Sequence, residues 1–161
     1  MASFGQVLVV VHELRYPFDI FIFSASSDET VQILEQPQDP SSKPAPPITH
    51  PVAVRAILPL PLTDLAEPYI ITGAGDIIRI YDVSNPDEPE LIGEIDAHWH
   101  DVTALRIWVR KTTGDDGKTR VEPWIISASL DATIRKWRLQ GLAYSHCLLK
   151  DTLWLSNNQT F

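Results

Sequence analysis

Apolar residues in this chain come in short bursts rich in valine, isoleucine and phenylalanine, many of them alternating with polar neighbours. That period of two predicts strands, and the bursts lack the 3.6-residue spacing of amphipathic helices. Val7–Leu14, Asp19–Ala25 and Thr30–Glu35 read as three strands, with a turn at Ser26–Glu29. Val52–Leu60, Tyr69–Gly73, Ile77–Val83 and Leu91–Ile95 follow, the last two joined by a connector punctuated by Asn85-Pro86 and Glu88-Pro89. Val102–Arg110, Trp124–Ala128 and Thr133–Leu139 make a third group, and a weaker fourth strand is expected around Leu142–Leu149.

The three groups say nearly the same thing. Ser24–Leu34 (SASSDETVQIL), Thr72–Asp82 (TGAGDIIRIYD) and Ser127–Arg138 (SASLDATIRKWR) each run from a small hydroxyl residue through a turn aspartate into an alternating strand. The aspartates, Asp28, Asp76 and Asp131, are 48 and 55 residues apart. A strand-built repeat of that length predicts an all-β chain of the β-propeller type, with about three four-stranded antiparallel blades. The expected divisions are a degenerate first blade with a linker over 1–48, a second blade over 49–96, a third over 97–150 and a tail over 151–161. Two segments interrupt the pattern. Gln36–Thr49 holds five prolines and reads as an exposed linker, with room for a strand only at a sheet edge. Lys111–Arg120 is polar and glycine-bearing, and reads as a loop projecting from the first hairpin of the third repeat.

Composition removes several function classes. The net charge of −8 favours basic partners and opposes tracking along a phosphate backbone, so no nucleic acid is expected. One cysteine, Cys147, allows no intrachain disulfide. The longest early apolar run, Val7–Val11, suits neither a signal peptide nor a membrane span, which predicts a cytoplasmic or nuclear protein. Ala97–Asp101 (AHWHD) invites a metal reading, but it offers too few ligands for a zinc centre. Gly73-Ala74-Gly75 lacks the lysine and following helix of a phosphate loop. Serine in a nucleophile elbow and an activated thiol are both missing, so neither an enzyme nor a cofactor is expected.

The repeats resemble the WD40 family over roughly residues 19–139. Ala97-His98 and Thr49-His50 stand where that family opens a repeat, and Trp137-Arg138 and Tyr81-Asp82 stand where it closes one. The resemblance implies a buried hydrogen-bond chain through His98, Ser127, Asp131 and Trp137, and a weaker one through His50, Thr72, Asp76 and Tyr81. The first repeat keeps only Ser24 and Asp28, with Leu34 in the aromatic slot. Three repeats do not close a ring. The expectation is a piece of a longer propeller, or a ring completed by further copies or by a partner's blades.

As a propeller, the chain is expected to serve as a non-catalytic scaffold for protein partners, the alternative being an obligate structural subunit of a larger complex. The resemblance places Asp28, Glu29, Trp99, His100 and Asp101 on one loop face. Its carboxylates suit a basic or mixed peptide, and Trp99, outside any strand alternation, is the candidate anchor. The rival role for Trp99 is to cover a neighbouring sheet edge.

Overall fold

β-Branched and aromatic residues at alternate positions favour extended backbone, and here each strand folds back on the one before it. The computed structural model describes residues 8–13, 20–36, 44–60, 69–140, 148–150 and 155–156. Those residues form three antiparallel sheets and contain no helix. The first sheet holds β1 (Leu8–Glu13), β2 (Ile20–Ala25), β3 (Thr30–Gln36) and β4 (Ile48–Thr49). The second holds β5 (Val54–Pro59), β6 (Tyr69–Ala74), β7 (Ile77–Asp82) and β8 (Glu90–Asp96). The third holds β9 (Val102–Thr113), β10 (Thr119–Ser129), β11 (Thr133–Gln140) and β12 (Leu148–Lys150), and β13 (Leu155–Ser156) also pairs with β11. Spatial order follows chain order in every sheet.

The sheets stack through their leading strands. β5 lies against β1 and β2, and β9 lies against β5 and β6. The second sheet is therefore covered on both faces, and all of β6 is buried. Ile70, Ala74 and Tyr81 join Phe23, Val31 and Ile33 in one apolar cluster. Ile71, Ile78 and Ile80 join Leu105, Ile125 and Trp137 in the other. This explains why β6 is buried throughout and β7 in all but its end residues, where β8 is half-buried or exposed along its length.

Gly73 sets the approach of β6 to β9. A Cβ there would stand 2.7 Å from Val102 Cγ1 and 2.9 Å from Val102 Cβ, with Ala56 Cβ at 3.4 Å. Gly73→Ala is expected to lose about 1–3 kcal/mol by overpacking, and Val102→Ala in the same chain to restore part of it. Urea titration of the three variants reads this out; an unperturbed Gly73→Ala midpoint would contradict the contact.

Two expectations change. Lys111–Arg120 is not a loop: β9 runs to Thr113 and β10 starts at Thr119, leaving only Gly114–Lys118 as the turn. Thr112, Thr113 and Thr119 are β-branched and continue the ladder, while Gly117, at φ 71°, supplies the left-handed turn residue. The proline-rich linker ends in a short strand, β4, which pairs only with β3. At that edge its preceding prolines remove no ladder bond. The fourth strand expected around Leu142–Leu149 is seen at Leu148–Lys150, with 141–147 outside the described residues. No helix among the described residues is long and apolar enough to cross a membrane.

Candidate functional site

The segment from Ala97 to Asp101 links the second sheet to the third, and each of its residues is held by at least one backbone hydrogen bond. Ala97 and His98 donate their N–H groups to the carbonyl of Asp76, each at 3.0 Å. The carbonyl of Ala97 accepts from Arg135, and the Trp99 N–H donates to Asp131 Oδ2 at 3.0 Å. Ser129 Oγ donates to the His100 carbonyl at 2.8 Å, and Leu130 N–H to the Asp101 carbonyl at 3.0 Å. Val102 N–H returns to Gly75 at 2.7 Å. The Asp101 carboxylate pairs with Arg55 at 2.6 Å. A loop so tied has little conformational entropy left to lose on binding.

Beneath it lies a directed hydrogen-bond chain. An indole only donates and a carboxylate only accepts, which sets the direction throughout. Trp137 Nε1–H donates to Ser127 Oγ at 2.9 Å, and Ser127 Oγ–H donates to His98 Nε2 at 2.7 Å. His98 Nδ1–H donates to Asp131 Oδ2 at 3.0 Å. Burial, outweighing the nearby carboxylate, pushes the His98 pKa below the usual histidine value, which favours the neutral ring and this direction of donation. At Asp131 burial opposes ionisation, yet it is overcome by donors from the Thr133 hydroxyl, the Trp99 and Thr133 N–H groups and His98. The carboxyl is held well below the ordinary aspartate range.

The second set of predicted residues only partly meets. His50 Nε2 lies 2.9 Å from Thr72 Oγ1 and 3.4 Å from the Tyr81 hydroxyl, whose ring stands edge-on to the imidazole. Burial, with the Arg79 charge adding to it, lowers the His50 pKa to about 4. Asp76 does not join: it is exposed, and among the described residues its carboxylate makes no hydrogen bond. The β6–β7 turn is two residues, Gly75-Asp76, whereas β10–β11 uses three, Leu130 to Ala132. The shorter turn ends before an aspartate can reach back. Asp76 contributes its backbone carbonyl instead.

A signal in the sequence went unread. Ser26, Asp28 and Thr30 repeat as Ser129, Asp131 and Thr133. In both turns the serine accepts from the aspartate N–H, and the aspartate Oδ1 accepts from the threonine N–H and hydroxyl. The residue between aspartate and threonine takes a positive φ, Glu29 at 70° and Ala132 at 63°. Threonine bonds of this kind also lower the pKa of Asp28.

Above the chain, the loop end presents apolar surface. Trp99 is 78% exposed, Leu130 65% and Val52 42%, and all three sit on the pinned turns and links at this end. Trp99 therefore covers no neighbouring sheet edge among the described residues. Asp28, Glu29 and His100 are exposed here as well, while Asp101 is engaged by Arg55. His98 is engaged by Ser127 and Asp131, and no group of three or more metal-ligating side chains forms among the described residues. No family model matches this chain, and no curated protein matches it.

Proposed function

We propose that this chain is a non-catalytic, WD40-like repeat protein, its three sheets acting as successive propeller blades, that holds a protein partner on the loop end around Trp99. The supporting observation is the pairing of a backbone held at each residue from Ala97 to Asp101 with a large exposed indole. A tryptophan offered on a rigid loop gives contact area at low entropic cost, and such residues are enriched among binding hot spots. Asp28, Glu29 and Asp76, on the β2–β3 and β6–β7 turns, expose their carboxylates, which suits a basic or mixed peptide. Nothing in this reading needs a cofactor or a metal, and it places the protein in the cytoplasm or nucleus.

Selection of binders from a displayed random peptide library tests it. Peptides enriched in lysine or arginine are expected, and Trp99→Ala is expected to weaken them by about 2 kcal/mol or more, roughly thirtyfold. Its melting temperature should stay unchanged, because the indole is 78% exposed. Binders indifferent to Trp99→Ala would overturn the loop-end reading. The other reading, an obligate subunit of a larger assembly, draws on one specific feature: Trp108 and Ile134, on the far face of the third sheet, are exposed among the described residues.

A further inference from the structure

The two faces of the third sheet differ. Ile125, Ser127 and Trp137 turn toward the second sheet. On the opposite face the strand register makes a grid of nine side chains. Trp108, Trp124 and Arg138 form one row, Arg106, Ile126 and Lys136 the next, and Ala104, Ala128 and Ile134 the third. Six are apolar, three are cationic and none is acidic. The Lys136 ammonium lies 4.4 Å and 3.9 Å from the centroids of the Trp108 and Trp124 rings, so it coats the aromatic pair. Trp108 remains 44% exposed and Ile134 48%.

Charge along the chain is sharply divided. Residues 1–101 hold 4 of the 13 lysines and arginines but 16 of the 21 acids, a net of −12, whereas 102–161 hold 9 against 5, a net of +4. The acidic part ends in a rim of its own. Edge strand β8 exposes Glu90, Asp96 and Leu91, the last 48% exposed, while its Glu94 is held by Arg79 at 2.6 Å. One molecule thus carries both an apolar cationic face and an acidic rim, the rim lying on the second sheet where β8 meets β12.

We propose that the third-sheet face of one copy docks the β8 rim of a second copy, head to tail. The overall charge of −8 repels a long polyanion, and Lys136 caps the rings that bases would stack on, so a nucleic acid fits this face poorly. A second copy supplies the complementary charge and an apolar residue to meet the tryptophans. Because the contact joins unlike surfaces, it leaves a free face and a free rim at the ends, and assembly continues past the dimer unless the ring closes. The proposal is independent of the loop end and of Trp99.

Sedimentation velocity of the whole chain decides it. Mass is expected to rise with concentration at low salt, the association weakening about tenfold or more once exposed charges are screened. Arg106→Glu with Lys136→Glu, and separately Glu90→Lys with Asp96→Lys, should each remain monomeric with unchanged far-ultraviolet dichroism. Mixed one to one, these two variants should associate again, since the reversed face of one meets the reversed rim of the other. A wild type that is monomeric at low salt, a mixture that fails to associate, or capture of a single-stranded oligonucleotide by the Trp108 face would each overturn it. Loss of Trp99 should leave the association intact, which separates its failure from failure of the loop-end reading.

Discussion

Trp137→Ala is expected to lose about 3–5 kcal/mol of folding stability, a large share of what a domain of this size holds. The indole is 4% exposed and lies in the cluster shared with Leu105, Ile125, Ile71 and Ile78, where the second and third sheets meet. Its removal leaves a cavity between the sheets and takes the donor that ends the Ser127–His98–Asp131 chain. Trp137→Phe separates the two effects. It keeps most of the apolar area but removes the N–H, and about 1 kcal/mol of the loss should remain. Chemical denaturation of both variants, followed at far-ultraviolet wavelengths, provides the comparison. Equal midpoints for wild type and Trp137→Ala would mean that the two sheets do not share this anchor.

Acid is expected to unfold the protein in two overlapping stages. A histidine whose pKa is lower folded than unfolded stabilises the fold above the unfolded value and loses that contribution as pH falls. For His50 the window runs from 6.5 down to about 4, because the buried ring cannot take a proton beside Arg79 without losing its packing. His98 acts in the same direction. The Asp131 carboxylate adds a later stage. Its pKa is depressed, so its contribution stands above the ordinary aspartate range and is lost as pH falls further, when the Trp99 and Thr133 donors lose their acceptor. Denaturant midpoints should fall steadily below pH 6.5 and more steeply near and below 4. His50→Gln should flatten the first stage and leave the second. Midpoints that hold constant from neutrality to pH 4 would contradict the buried neutral imidazoles.

The strands were largely legible because half-buried sheets leave a period-two trace that helices do not. Tyr69–Gly73 and Ile77–Val83 differ from the observed β6 and β7 by a single residue at one end. Where reading failed, local chemistry had a second solution. Lys111–Arg120 has the polarity of a loop, but its threonines suit a two-stranded ribbon that needs no core beneath it. Asp76 shared its place in the repeat with Asp28 and Asp131, yet one residue fewer in the turn left its carboxylate in solvent. The serine–aspartate–threonine turn was readable and simply unread. Trp99 stood out by breaking strand alternation, but pattern alone gave no choice between covering an edge and facing water.

From the chain alone come the all-β class, the three repeated strand groups and the residues able to form a donor–acceptor chain. These depend on near neighbours, on side-chain alternation and on what each side chain can donate or accept. Only the folded arrangement decided that Ala97–Asp101 is tied on both sides, that Trp99 is left outside, and that Lys136 lies over the tryptophan pair of the third sheet. Those outcomes rest on contacts between residues some thirty positions apart in the chain, such as His98 with Asp131. Local periodicity carries no record of such distances.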